Sequence, residues 1–162
     1  MSKLKYLVIH CTDTPENREV TRKDIEKWHT APKPIGNGWR KVGYTDMVYL
    51  DGSLVNLSPF NQDDDVEGFE VTNGVRGLNS ISRHICYVGG KSLTGKVKDT
   101  RTPEQYDSLE TYILYTVLRH PGIKVAGHYH FSSKSCPAFN VEKFCEDIGV
   151  SKKNIYYGEK DR

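Results

Sequence analysis

Several patterns that would assign the sequence to a broad class of proteins are absent from it. No apolar run approaches the roughly 20 residues that a membrane-spanning helix requires, and the apolar stretch near Met1 is too short for a secretory signal. Neither Gly-x-Gly-x-x-Gly nor the complete P-loop pattern occurs, so nothing indicates nucleotide chemistry. We therefore expect no membrane partner, and we expect synthesis in the cytoplasm.

The charge balance and the cysteine content exclude further classes. The net charge is +2, from 23 basic and 21 acidic residues without a clustered basic face, so we expect no nucleic-acid partner. The four cysteines form an even set, but a chain of this size can build a core without disulfides. We predict reduced thiols, with Cys11, Cys86 and Cys145 in the core and Cys136 available to a metal.

The strand signals are short apolar runs. Tyr6–Cys11 reads as a buried strand, and further strands are predicted at 85–88 and 124–127. Asp51-Gly52 separates two β-prone runs, which predicts a hairpin with a type I′ turn.

The helix signals are capping residues followed by apolar positions at helical spacing. Thr21 is predicted to cap a first helix, with Asp24 at its third position. Thr102-Pro103-Glu104-Gln105 is a capping box that opens a helix running to about His120. A last helix is predicted over 141–148.

Together these elements predict the fold class and the domain organisation. Strands separated by helices, with one hairpin, indicate an α/β fold in which a mixed central β-sheet is flanked by helices. The chain has 162 residues, which suits a single domain. We predict that residues 1–150 form this domain and that 151–162 form a polar, mobile tail.

Two histidines and one cysteine stand at or beyond predicted strand ends. His10 belongs to the first strand, His128 follows the strand at 124–127, and Cys136 comes shortly afterwards. Two imidazoles and a thiolate suit zinc and leave its fourth tetrahedral position open, as in catalytic sites. The residues alone leave another interpretation open, in which the histidines make ordinary hydrogen bonds and Cys136 is a buried thiol.

Two other histidines are weaker candidates. His130 lies two residues beyond His128, so it could replace one of the ligands if this segment is extended. His29 shares a helix face with Ile25 and Trp28. It is interpreted as a hydrogen-bonded helix histidine, with support of a metal ligand as the alternative.

The segments around these residues resemble a known family. Their order and spacing are similar to those of the zinc-dependent N-acetylmuramoyl-L-alanine amidases of the type-2 class, which include amidase-type phage lysozymes and the peptidoglycan recognition proteins. The resemblance covers roughly residues 5 to 148. It rests on Val8-Ile9-His10-Cys11-Thr12, Ile25-Glu26-Lys27-Trp28-His29, Gly38-Trp39-Arg40-Lys41-Val42-Gly43-Tyr44, Asp51-Gly52, Ile85-Cys86-Tyr87-Val88-Gly89-Gly90, Gly127-His128 and Lys134-Ser135-Cys136-Pro137-Ala138-Phe139.

The resemblance implies a reaction and a role for five residues. It gives His10, His128 and Cys136 as ligands of a Zn²⁺ cofactor, with Tyr44 and Lys134 as the catalytic pair beside the metal. The implied substrate is bacterial peptidoglycan, cut at the amide bond between N-acetylmuramic acid and L-alanine. We expect a monomeric, bacteriolytic enzyme of the endolysin type, which reaches the wall after release or delivery by another system.

Three places depart from the pattern of this family. Thr45 and Asp46 stand where a histidine and an aromatic residue usually follow Tyr44. Gly74 occupies a place where the family often has a histidine near the substrate groove. Ser82-Arg83-His84 replaces the usual Ser-Ile-Gly before the second inner strand. These changes spare the implied ligands and the catalytic pair, so we expect them to affect the groove rather than the reaction type.

Two other functions are compatible with the same resemblance. Relatives of this fold can bind peptidoglycan without cutting it, although such versions typically lack part of the zinc set. Some phage lysozymes of this type also bind and inhibit an RNA polymerase, but no residue in this sequence marks such a surface.

Overall fold

The structure is a computed structural model that describes residues 1–159. This part of the chain forms nine strands and three α-helices, together with short 3₁₀ turns. The strands are β1 (Ser2–Lys3), β2 (Tyr6–Cys11), β3 (Thr14–Pro15), β4 (Asp46–Val48), β5 (Leu54–Asn56), β6 (Asp65–Val66), β7 (Ser82–Tyr87), β8 (Gly90–Lys91) and β9 (Lys124–Gly127). The helices are α1 (Arg22–Thr30), α2 (Pro103–Arg119) and α3 (Val141–Asp147). None of them is long and apolar enough to cross a membrane.

A five-stranded mixed sheet organises the fold. Its strand order is β5-β4-β7-β2-β9, in which β4, β7, β2 and β9 are parallel and β5 is antiparallel to β4. This confirms the predicted α/β class. The predicted first strand agrees with β2 in both bounds.

The two faces of β2 serve different purposes because side chains alternate along a strand. Leu7 and Ile9 point into the larger apolar cluster, which α2 and α3 also line. His10 points to the opposite face, toward the smaller cluster that contains Ile25 of α1. The run of apolar residues in this strand is continuous because an apolar cluster packs against each of its faces. His10 is the polar residue within that run.

The two capping predictions are confirmed. Thr21 accepts a hydrogen bond from the Asp24 amide at 3.2 Å, and its own amide donates to the Asp24 carboxylate at 2.9 Å. Thr102 and Gln105 make the same reciprocal pair at the start of α2, at 3.1 and 3.0 Å. Such boxes satisfy amide groups that lack partners within the helix.

The hairpin is confirmed, but its turn is not type I′. Met47 pairs with Val55 across β4 and β5. A type I′ turn needs positive φ at both central residues. Gly52 has a φ of 85°, but the φ of Asp51 is not positive. The Gly52 amide donates to the Tyr49 carbonyl at 2.9 Å, so the turn centres one residue earlier. A Cβ at Gly52 would meet the Glu104 carbonyl at 2.7 Å, which explains the need for glycine.

The C-terminal segment differs from the predicted tail. Ile155 and Tyr156 are fully buried, and Ile155 forms a bridge to Val125 of β9. The Asn154 amide donates to the carbonyls of Pro121 and Ile123 at 2.7 and 2.8 Å. The prediction of a tail followed the predominantly polar composition of this segment. It overlooked Ile155 and Tyr156, which pack at the edge of the core. Residues 160–162 of the predicted tail lie outside the described residues.

Candidate metal centre and active site

The structure brings the three predicted ligands together at one end of the sheet. His10 lies near the end of β2, and His128 directly follows β9. Ile9 is in register with Gly127, so the segments that follow these two neighbouring parallel strands both begin at the same edge of the sheet. Cys136 arrives from the loop before α3. One ligand atom from each residue lies within 4.8 Å of the others.

The spacing and the protonation of the two imidazoles suit zinc. The Nδ1 atoms of His10 and His128 lie 3.2 Å apart, and two nitrogens at tetrahedral corners around zinc are about 3.3 Å apart. Burial lowers the pKa of His10 well below 6.5. Burial and the nearby Lys134 lower the pKa of His128 to about 4. Both rings are therefore neutral near pH 7, as metal binding requires.

Cys136 adds a sulfur that already accepts a hydrogen bond. The Cys11 amide donates to its Sγ at 3.1 Å. The contact with the Cys11 thiol, together with burial, raises the pKa of Cys136 well above 9. The thiol is thus protonated without a cation, and metal binding at such a thiol releases the proton. All four cysteines are free, and Cys11, Cys86 and Cys145 are buried as predicted.

Tyr44 lies beside this cluster on the loop that enters β4. It lines a cavity together with His128 and Cys136, and its ring centroid is 5.1 Å from that of His10. Its hydroxyl donates to the Cys11 carbonyl at 3.4 Å, which is a weak hydrogen bond. Burial raises the pKa of Tyr44 well above 10, so the phenol is neutral.

His29 supports the segment that carries Tyr44. Its Nδ1 accepts a hydrogen bond from the Gly43 amide at 2.9 Å, and its ring packs edge-on against Tyr44 with centroids 5.2 Å apart. Burial lowers the pKa of His29 to about 4. The interpretation of His29 as a hydrogen-bonded helix histidine is therefore confirmed.

Lys134 stands where two cavities meet. One, of about 450 Å³, includes Cys11, Tyr44 and Lys91 in its lining. The other, of about 480 Å³, includes Trp39 in its lining. Lys134 and His128 line both. Lys134 is exposed, and its positive charge helps to lower the pKa of His10 and of His128. The arrangement is an open groove across the candidate metal centre.

His130 does not join the cluster. Its Nε2 lies 2.9 Å from a Glu142 carboxylate oxygen, and its Nδ1 accepts a hydrogen bond from the Gly127 amide at 3.0 Å. The alternative ligand set with His130 is wrong because 128–130 form a 3₁₀ turn rather than an extended segment. The ring consequently points away from His128 and toward α3.

The structure adds His84, a residue that the sequence marked only as a departure from the family pattern. It lies on β7, beside β2, and is fully buried. Its Nδ1 is 2.9 Å from Nε2 of His10. The contact follows from the strand register, because His84 precedes Cys86 by two residues and Cys86 is in register with His10, so the sequence alone carried no signal for it.

The other departures are also accommodated. Asp46 pairs with Arg83 across β4 and β7, with 3.2 Å between Oδ2 and Nη2. Gly74 lies against His84, and Thr45 is buried with its amide donating to the His84 carbonyl at 2.8 Å. The changed residues therefore lie in the wall around the candidate metal centre, and the three candidate ligand atoms still lie within 4.8 Å of one another.

Comparisons with known proteins identify the family and the fold of this chain. The chain is 27% identical over 140 residues to the endolysin of Klebsiella phage KP32, which covers 86% of this chain and 84% of that protein. The solved structure of the Ph2119 endolysin, from a Thermus scotoductus bacteriophage, matches with a TM-score of 0.70 and 24% identity over 92% of this chain and 87% of that one. The N-acetylmuramoyl-L-alanine amidase LysC from Clostridium intestinale matches with a TM-score of 0.71 and 20% identity over 93% and 88% of the two chains. The sequence model of one family, N-acetylmuramoyl-L-alanine amidase, matches residues 1–139. The chain belongs to the N-acetylmuramoyl-L-alanine amidase family.

Proposed function

We propose that this protein is a zinc-dependent enzyme that hydrolyses the amide bond between N-acetylmuramic acid and L-alanine in bacterial peptidoglycan. The observation that carries the proposal is the convergence of His10, His128 and Cys136 within 4.8 Å at the junction of two open cavities. The family membership and the endolysin relatives support the same substrate class. Such an activity would make the protein bacteriolytic once it reaches the wall.

The donor set favours zinc over other common divalent cations. Two neutral imidazole nitrogens and one thiol sulfur form a mixed nitrogen and sulfur set, whereas magnesium and calcium prefer oxygen ligands. A bound zinc ion would supply Lewis acidity toward the scissile carbonyl and toward the hydrolytic water. With three protein ligands, one tetrahedral position stays open to the groove.

We assign Tyr44 the task of holding the attacking water. Tyr44 lines the cavity that His128 and Cys136 also line, and the hydrogen bond from its hydroxyl to the Cys11 carbonyl is long at 3.4 Å. A phenol so weakly engaged can turn its proton or its lone pair toward a water molecule. Because the pKa of Tyr44 is raised by burial, we propose a neutral phenol that orients water rather than a phenolate that removes a proton.

We assign Lys134 the stabilisation of the oxyanion that forms when the carbonyl is attacked. Lys134 is exposed and lines both cavities, and the scissile bond would cross from one cavity to the other beside it. A positive group aimed at developing negative charge stabilises the transition state more than the substrate. Loss of a comparable donor lowers kcat by about 10² to 10³ fold in other hydrolases.

The two cavities differ in chemistry, which suggests how the substrate lies. Lys91, Lys134 and Asp13 line one cavity, and because Asp13 pairs with Lys91 at 3.4 Å, we assign Lys134 the contact with a carboxylate of the peptide stem. Trp39 and Phe131 line the other, and aromatic faces suit sugar rings. We propose that the peptide occupies the first cavity and the muramoyl sugar occupies the second.

Product analysis on defined muropeptides tests the proposal. Mass spectrometry of the digest should show a free amino terminus on L-alanine and a newly formed lactyl carboxylate on the muramic acid, with no cut within the glycan or the stem. The Lys134→Ala variant should lose at least about 10² in turnover, whereas Lys153→Ala, which changes an exposed lysine outside both cavities, should match the wild type. If the zinc-loaded protein binds muropeptide but does not cleave it, the protein is a peptidoglycan-binding module and not an enzyme.

A further inference from the structure

We propose that His84 is a positioning residue that fixes the tautomer and the orientation of His10 for metal binding. The inference rests on the proposed function, since it concerns the same metal centre. It assigns a task to a residue that departs from the usual pattern of the family. The hydrogen bonds that support this role begin at the Val75 backbone amide.

A continuous chain of hydrogen bonds connects that loop to His10. The Val75 amide donates to Oδ1 of Asn79 at 2.8 Å. The same oxygen lies 3.0 Å from Nε2 of His84, and Nδ1 of His84 lies 2.9 Å from Nε2 of His10. Beyond it, Nδ1 of His10 lies 3.2 Å from Nδ1 of His128.

The first bond in this chain determines the position of each following proton. A backbone amide can only donate, so the Asn79 atom that it meets is the carbonyl oxygen, which can only accept. Nε2 of His84 must therefore carry a proton. In a neutral imidazole the other nitrogen is then an acceptor, so Nδ1 of His84 accepts from Nε2–H of His10.

As a consequence, Nδ1 of His10 keeps a lone pair that can bind a metal ion. With its proton on Nε2, the Nδ1 atom of His10 is unprotonated and points at the ligand atom of His128. Metal-binding histidines commonly donate their second N–H to an outer partner that holds the ring. Here that partner is another imidazole, held by an asparagine rather than by a carboxylate.

Gly74 is the residue that makes room for His84. A Cβ at position 74 would lie 2.3 Å from Nδ1 of His84, and two further ring atoms would lie within 2.5 Å. No side chain other than hydrogen therefore fits beside this ring without displacing it. Because Gly74, Val75 and Asn79 also line the cavity with Trp39, the chain of bonds links the groove wall to the metal ligand.

Zinc affinity, measured by competition with a chromophoric chelator, tests this assignment without reference to turnover. We expect His84→Leu to bind zinc 10 to 100 fold more weakly than the wild type. His84→Asn can place a carbonyl oxygen near the former Nδ1 position, so it should recover most of the affinity. Equal affinity of His84→Leu and the wild type, with both folded, would overturn the proposal.

A second pair of variants changes Asn79, which is only half-buried. A substitution there is less damaging to folding than one at the fully buried His84. Asn79→Asp keeps an acceptor for His84 and for the Val75 amide, and should bind zinc at least as tightly as the wild type. Asn79→Leu removes the acceptor and should weaken binding. Nitrogen-15 NMR of the metal-free protein should show His10 protonated at Nε2 in the wild type and a mixture of tautomers in Asn79→Leu. One tautomer of His10 in both proteins would contradict the assignment.

The outcomes separate this inference from the proposed function. A wild-type protein that binds no zinc overturns the proposed zinc dependence, and the positioning role with it. A wild-type protein that binds zinc tightly, with His84→Leu and Asn79→Leu unchanged, overturns the positioning role alone.

Discussion

Asp46 on β4 and Arg83 on β7 form an ion pair in the interior, with 3.2 Å between Oδ2 and Nη2 and side-chain exposures of 5% and 8%. Tyr112 of α2 completes it, because its hydroxyl donates to the same carboxylate oxygen at 2.5 Å and accepts from Nε of Arg83 at 2.8 Å. Both charged residues stand at positions that depart from the family pattern. The two departures therefore compensate each other.

Breaking this pair should destabilise the fold. Asp46→Ala leaves the Arg83 guanidinium buried without its carboxylate, so we expect the free energy of unfolding to fall by about 3 to 5 kcal/mol. Denaturant unfolding of the metal-free protein measures the loss. The control is Asp147→Ala, which removes the exposed pair with Lys143 and should change stability by less than about 1 kcal/mol. Similar losses in the two variants would contradict the structural role given to Asp46.

His29 should make the protein sensitive to acid. Its pKa is about 4 in the folded state against 6.5 for a free histidine, because the ring is buried. The unfolded chain therefore takes up a proton before the folded one does. The contribution of His29 to the free energy of unfolding should be fully present above pH 6.5. It should decrease as the pH falls toward 4, by at most about 3 kcal/mol.

The variant His29→Asn isolates this effect. Asparagine can accept the bond from the Gly43 amide but does not titrate. The dependence of the unfolding free energy on pH between 6.5 and 4 should be shallower in the variant. The difference at pH 8 gives the part of the change that is unrelated to protonation. Parallel curves for the two proteins would show that His29 does not carry the acid sensitivity.

Removal of the Tyr44 hydroxyl should affect turnover without affecting metal affinity. Tyr44→Phe keeps the ring beside His10 and His29 and deletes the group that we assign to the water. We expect kcat to fall by about 10² fold or more, with zinc affinity within about twofold of the wild type. Tyr115→Phe, on the exposed face of α2, is the matched control. A Tyr44→Phe enzyme with normal kcat would remove Tyr44 from the mechanism.

The features that could be predicted from the sequence are those with local signals. The bounds of β2 follow from one apolar run, and the starts of α1 and α2 follow from the side chains of Thr21 and Thr102, which cap helices within their own neighbourhood. Strand ends together with the family resemblance predict the convergence of His10, His128 and Cys136, and their ligand atoms lie within 4.8 Å of one another.

The features that escaped prediction depend on contacts between distant segments. The bond between His10 and His84 requires the register of two parallel strands, which no residue in either strand encodes alone. Tyr156 is buried because it packs against Tyr6, at the other end of the chain. The requirement for glycine at position 52 also depends on a distant residue, because a Cβ there would meet the Glu104 carbonyl of α2 at 2.7 Å.

The most direct test of the central claim is a zinc titration of the chelator-treated protein, with muropeptide cleavage recorded at each point. We predict that amidase activity is absent without metal, rises in proportion to added zinc and saturates at one equivalent per chain, and that Cys136→Ala neither binds the metal nor gains activity. Full cleavage of the muramoyl amide by a protein from which zinc has been removed would contradict the account.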